Sequence, residues 1–338
     1  MSSESFIDAI ILGKLTRDTI VNSKKDLSID KPGGNLLYTA YGFSLWGKTP
    51  GLVSRVGCDF PDEWIEDLGR NSINTIGISK NHENHDSRIF IQVDTENRIM
   101  EGNPRKYFSD QNLPLPKVLL GLESNPVTVD NRKVGSEYSI RPENIPANFL
   151  DSRYLALCPV DFFTHNIIPA FFRAQTGGEV FIHASNSYTH SSFFHDIPTL
   201  VNGVSVFMIS EENVKRLFLG KMDEIWLIAE TLASYGVEII LISNKTDGYD
   251  VLDNINKKKF HIPSYPVNCI DPIGVDDAYY GGFLASYITN FDPLQASIIG
   301  SVTASVKKEG STPAFLLGIL KDLLLARVDV LKEKVQFI

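Results

Sequence analysis

Four apolar runs in the second half of the chain constrain its fold more than any other feature: YLALCP from Tyr154, EVFIHAS from Glu179, VSVFMIS from Val204 and VEIILIS from Val237. Each closes on turn residues, and the stretches between them, 168–175, 213–219 and 224–235, are of helical length. Strands that alternate with helices favour a mostly parallel sheet covered on both faces. Ligands of such sheets sit beyond the carboxyl ends of the strands, so the polar residues just after each run are the ones to read for chemistry. The N-terminal part reads the same way. FIDAIILG (6–13) predicts a buried strand, 35–46 a helix with Leu36, Leu37, Ala40 and Phe43 inward, 51–57 a strand and 61–71 a helix. Gly47 suits a helix C-cap. The stretch 87–140 differs in texture: short runs such as SRIFIQVD and NPVTVD, broken by Asn, Gly and Pro, predict antiparallel β structure. Phe315–Leu331 predicts an amphipathic terminal helix packed on the core.

Composition excludes several classes. With 20 Phe, 12 Tyr and 3 Trp in 338 residues the chain can build a large core, so disorder is not its main state. A net charge of −9 argues against a nucleic-acid partner, which needs a surplus of Lys and Arg. No 18-residue apolar run occurs, so no membrane span is expected, and the start carries no basic segment ahead of a long apolar one, so no secretion signal is expected. Cys58, Cys158 and Cys269 form no CxxC pair and suit a reducing, cytoplasmic setting. Residues 42–49 match the pattern GxxxxGK[ST], but they end a predicted helix and lead into a strand. A phosphate-binding P-loop has the opposite order, strand first and helix second.

The segment 269–287, CIDPIGVDDAYYGGFLASY, carries the chemistry. Asp271-Pro272 ends an extended stretch, Gly274 permits a tight turn, and Asp276 and Asp277 open a helix. A helix start behind a glycine offers unpaired N–H groups and a positive dipole end, which suit a phosphoryl group. An adjacent carboxylate suits a general base. Simple N-capping by Asp is the competing reading. The segment resembles the DTTGAGDAFxGGF signature of the PfkB (ribokinase-like) carbohydrate kinases, with Asp271, Gly274, Asp277, Ala278, Gly281, Gly282 and Phe283 matching. Residues 11–18, the Gly33-Gly34 pair with the helix after it, and Arg55-Val56-Gly57-Cys58-Asp59 resemble further stretches of that family, in the same order.

The resemblance implies a ribokinase-like α/β fold spanning 1–338: a mostly parallel sheet with helices on both faces, plus a small β-sheet lid drawn from about 16–33 and 86–140. It implies ATP-dependent phosphoryl transfer to a hydroxyl of a sugar, polyol or nucleoside. Asp277 would be the base, and Gly274, Val275 and Asp276 the anion hole. Asp18, Gly33 and Gly34 would hold acceptor hydroxyls, with Tyr38, where many members carry Asn, either stacking on a sugar or base or lying in the core. Lys245 and Gly248 would lie at the nucleotide, and Mg²⁺ would be reached through water from Glu211 and Glu212. Asp271 would neighbour a K⁺ site, and a homodimer through the lid is the expected assembly.

Four departures from the family pattern fall on the nucleotide and metal side. Asp276 replaces a glycine, Ser210-Glu211-Glu212-Asn213 replaces NxxE, Lys245-Thr246-Asp247-Gly248 keeps only the last glycine of GxxG, and His183-Ala184-Ser185 replaces DPS. His183 is expected to be a pocket or core residue. The Asp276 carboxylate either opposes the γ-phosphate or recruits an extra Mg²⁺. These departures favour, as the alternative, a catalytically impaired relative that binds a sugar or nucleotide as a sensor or assembly subunit.

Overall fold

The computed structural model describes residues 6–81, 85–123, 129–244 and 247–338. The strands are β1 (Ala9–Leu12), β2 (Thr16–Val21), β3 (Leu27–Gly33), β4 (Pro50–Gly57), β5 (Asn74–Asn81), β6 (Arg88–Val93), β7 (Ile99–Glu101), β8 (Tyr154–Leu157), β9 (Glu179–His183), β10 (Val206–Ser210), β11 (Ile239–Asn244), β12 (Gly248–Asp253), β13 (Lys258–Pro263) and β14 (Gln336–Phe337). The helices are α1 (Asn35–Ser44), α2 (Asp62–Arg70), α3 (Pro104–Asp110), α4 (Phe162–Thr176), α5 (Ile197–Val201), α6 (Glu211–Leu217), α7 (Ile225–Ser234), α8 (Val275–Asn290), α9 (Pro293–Glu309) and α10 (Lys321–Lys332).

Ten strands form one sheet in the order β14-β13-β12-β11-β10-β9-β8-β1-β4-β5. Pairing is parallel from β11 through β5 and antiparallel among β11, β12, β13 and β14. Both faces are apolar because alternate residues feed two cores. Ala9 and Ile11 of β1, with Ile239 and Leu241 of β11, pack beneath α1, α8 and α9, among Phe43, Phe283 and Val302. Ile10, Leu12, Ile240 and Ile242 point the other way, onto Ile168 and Phe172 of α4 and Ile228 and Leu232 of α7.

A second, four-stranded sheet runs β3-β2-β6-β7. Its β2–β6 pair is parallel, so the wholly antiparallel arrangement expected over 87–140 is corrected there. Beyond β7 the described residues of that stretch are not strand. The Asn103 side chain accepts from the Lys106 N–H and Pro104 sits at the first helical position, which starts α3 instead. In the run at 125–130, residues 125–128 lie outside the described residues, and Val129 and Asp130 are not in a strand. The expected single helix over Phe315–Leu331 divides into a 3₁₀ segment, Pro313–Gly318, and α10; Ile319 and Leu320 are extended between them.

Candidate active site

The first turn of α8 is set by Gly274, whose φ of 72° and ψ of 14° are left-handed, a conformation that glycine adopts without strain. The first intrahelical bond runs from the Ala278 N–H to the Gly274 carbonyl at 2.9 Å. The N–H groups of 275–277 therefore precede the helical ladder and face outward at the positive end of a 16-residue helix. Asp276 and Asp277 occupy this turn but do not cap it; their carboxylates reach the carboxyl ends of the strands. Asp277 Oδ1 lies 3.3 Å from Nδ1 of His183, the last residue of β9. Burial pushes the Asp277 carboxyl above the ordinary aspartate range, and His183 partly opposes that rise. Asp276 turns to β11 and β12, where it accepts from the Ser243 hydroxyl at 2.8 Å and from the Tyr249 hydroxyl at 3.2 Å.

Asp18 is 2% exposed on β2. The Thr16 hydroxyl donates to its Oδ1 at 2.6 Å. The backbone of Gly33, at the end of β3, comes so close that a Cβ there would lie 1.9 Å from Asp18 Oδ2. Burial, with Glu101 and Asp271 nearby, pushes the Asp18 carboxyl up to about 7. Gly34 has φ 97° and caps α1; a Cβ there would meet the Lys14 carbonyl at 2.3 Å. Asp18, Gly33 and Gly34 thus form one floor beside the small sheet. Lys14 adds a cation at this floor, 5.0 Å from the Tyr138 ring centroid, and it partly offsets the rise that burial causes at Glu101 of β7.

Tyr38 of α1 joins this floor to the α8 turn. A Cβ on Gly274 would sit 2.2–2.5 Å from its ring carbons, so the ring lies flat against that glycine. The ring also packs with Ile91, Val93 and Ile273, and it is 2% exposed. Of the two roles open to Tyr38, this arrangement is the buried one. Burial raises the tyrosine hydroxyl well above its usual range, and the charges of Asp18, Asp271 and Asp277 add to that rise.

The remaining residues are placed differently. Glu211 opens α6, but Lys215 donates to one of its carboxylate oxygens and Asn244 to the other. Glu212 shares that first turn, whose cap is Ser210. Gly248 begins β12 with φ 142°, and a Cβ there would meet the Ile262 carbonyl at 2.1 Å, so close strand pairing accounts for the glycine. Lys245 lies outside the described residues. Asp271 Oδ2 accepts from the Lys307 ammonium at 3.0 Å. Among the described residues no group of three or more His, Cys, Asp or Glu side chains could hold a metal ion. Both oxygens of Glu211 and of Asp276 accept from protein donors. Sequence reasoning missed the His183–Asp277 contact. Its signal was positional: His183 ends β9, at the carboxyl edge of the parallel sheet.

The large parallel sheet, the small four-stranded sheet and a carboxylate-bearing helix start at the strand ends define the ribokinase-like class. Residues 171–314 match the model described as pfkB family carbohydrate kinase. That match covers less than half of the chain, and over the whole chain the likeness to solved ribokinase-family structures is one of fold. It is 23% identical over 283 residues to the cytidine kinase of Thermococcus kodakarensis, a match covering 83% of this chain and 88% of that one. Two solved structures illustrate the fold. A double-mutant fructokinase of Vibrio cholerae O395, with fructose, ADP and potassium ion bound, gives a TM-score of 0.69 at 15% identity, covering 96% of this chain and 100% of that one. The nucleoside kinase of Burkholderia thailandensis in complex with inosine gives 0.66 at 14% identity, covering 95% and 96%.

Proposed function

We propose that the protein transfers the γ-phosphoryl group of ATP to a hydroxyl of a sugar, polyol or nucleoside. The observation that carries this reading is the partly buried Asp277 carboxylate beside the first N–H groups of α8, joined through Tyr38 to the Asp18–Gly33 floor. Asp18 takes two acceptor hydroxyls as a carboxylate can, one per oxygen, and the bare Gly33-Gly34 backbone lets the acceptor approach. The acceptor oxygen attacks the γ-phosphorus, its proton passes to Asp277, and the bond to the β–γ bridging oxygen breaks to release ADP. The N–H groups of Val275 and Asp276, at the dipole end, stabilise charge on the transferring group. Raised by burial, Asp277 is better matched to take a proton near neutral pH than an ordinary aspartate. A Mg²⁺ ion brought with ATP would be held by phosphate oxygens and water, and would supply positive charge to the phosphates.

A ribose-bearing acceptor is favoured because the cytidine kinase match runs along most of both chains. The small sheet acts as the lid that excludes water. Its exposed Leu27, Ile29, Ile99 and Met100, on β3 and β7, support a homodimer through that sheet. Three free cysteines and no membrane-spanning helix among the described residues suit a cytoplasmic enzyme. ADP release measured over a panel of sugars, polyols and nucleosides tests the reading; no stimulation by any acceptor, with folded protein, would sink it.

A second reading is favoured by one specific observation: an extra carboxylate, Asp276, stands in the turn that should receive phosphate. On that reading the protein binds the acceptor without turning it over. Calorimetry separates the two, because the second reading requires acceptor binding with no MgATP binding.

A further inference from the structure

The Lys307 side chain, on the last turn of α9, is 0% exposed. Its ammonium faces three oxygens: Asp271 Oδ2 at 3.0 Å, the Gly310 carbonyl at 3.1 Å and the Asp271 carbonyl at 3.4 Å. A buried ammonium is costly unless each of its three protons finds an acceptor, and here the count matches. The Tyr38 ring lies near the same charge, with its centroid 5.3 Å from Nζ. A carboxylate and two inward-turned carbonyls around a dry point are the ligands that would hold a small monovalent cation by replacing its water. The cation held here is part of the chain.

We propose that the Lys307 ammonium is the resident cation of this loop in place of K⁺, so that the path into the Gly274 turn is held without a monovalent metal. The loop is tied on both sides of that charge. The N–H groups of Ile270 and Asp271 donate to the Lys308 carbonyl at 2.7 and 3.2 Å, and Asp271 Oδ1 accepts from the Ile273 N–H at 2.9 Å. Lys307 therefore fixes Asp271, Asp271 fixes Ile273, and Gly274 follows. It is a positioning residue. A second unit positive charge about 4 Å away would be repelled, so K⁺ and the ammonium exclude each other.

The test reads thermal stability, which keeps it separate from the kinase reading. The wild-type Tm is compared in about 100 mM KCl and about 100 mM tetramethylammonium chloride. The two values should agree within about 1 °C, and a K⁺-specific rise of about 3 °C or more would overturn the proposal. Lys307→Ala frees the three oxygens. It should lower Tm and acquire a K⁺-specific recovery of about 3 °C or more; a variant that folds yet ignores K⁺ also overturns the proposal. If Lys307→Ala does not fold in either salt, the wild-type comparison alone decides.

Discussion

Around Asp18 a buried carboxylate has a single hydroxyl donor, Thr16, among the described residues, and it titrates near 7. Around Asp276 and Glu211 every carboxylate oxygen is answered by the protein itself, through Ser243, Tyr249, Lys215 and Asn244. The first arrangement stores an unmet demand for hydrogen-bond donors, which an incoming polyol can meet. The second is tied to the protein itself and joins α8 and α6 to β11 and β12. The Asp18 floor thus keeps room for donors from outside the protein, while Asp276 and Glu211, two of the departures, bond to neighbouring elements. Asp277 stands between the two regions, and its contact with His183 leaves its other carboxylate oxygen for chemistry.

The largest expected effect tests that middle position. Asp277→Asn should lower kcat by roughly 10²–10⁴, the usual scale for loss of a general base, with acceptor affinity changed far less. Steady-state kinetics with a saturating acceptor measures it, and near-normal turnover would remove Asp277 from the mechanism.

Next comes the acceptor side. Asp18→Ala should weaken acceptor binding by about 2–4 kcal/mol, the scale of charged hydrogen bonds, as read by calorimetry. An unchanged affinity would reduce Asp18 to a turn residue. The same carboxyl predicts a pH dependence. Acceptor hydroxyls donate to the ionised form, so affinity should fall about tenfold per pH unit below about 7 and level off above it. Asp18→Asn should flatten that profile.

Stability of the free protein should run the opposite way. Folded Asp18 holds its proton up to about 7 and unfolded Asp18 only to 3.8, so its contribution is fully present below 3.8 and is lost as pH rises through 7. Chemical denaturation from pH 4 to 8 measures it, and Asp18→Asn should remove that part of the slope.

The smallest effect sharpens the nucleotide side. Asp276→Gly leaves Ser243 and Tyr249 without their acceptor, which should cost about 1–3 kcal/mol of stability. Removing the charge should also raise ATP affinity about fivefold, since two unit charges about 4 Å apart in a well-screened site interact by about 1 kcal/mol. A drop in Mg²⁺-dependent ATP binding would instead show that Asp276 holds the metal.

Much of this molecule was legible before any coordinates. The runs at Tyr154, Glu179, Val204 and Val237 became β8 to β11 because apolar residues on both faces can only be buried between two helical layers. The helix after Gly33-Gly34 and the one after Gly274 were legible from glycine and flanking periodicity. The stretch after β7 was not, because Asn103-Pro104 is a helix start as much as a strand break, and local pattern does not choose between them. In the site, residue types and order showed where the acids lie but not where they point. Asp276 looked like an obstruction in the phosphate turn, yet its bonds run to Ser243 and Tyr249, residues 33 and 27 positions away. Lys307 carried no signal at all. It is one of two adjacent lysines in the last turn of α9, and only the approach of the Asp271 loop makes it a buried charge.

The most direct measurement is ADP release from MgATP by the wild-type protein and by Asp277→Asn, with and without each member of an acceptor panel led by ribonucleosides. The account predicts that at least one hydroxyl-bearing acceptor stimulates ADP release by the wild type, and that Asp277→Asn abolishes the stimulation while still binding that acceptor. Folded wild-type protein that binds an acceptor yet releases no additional ADP with any of them would contradict it.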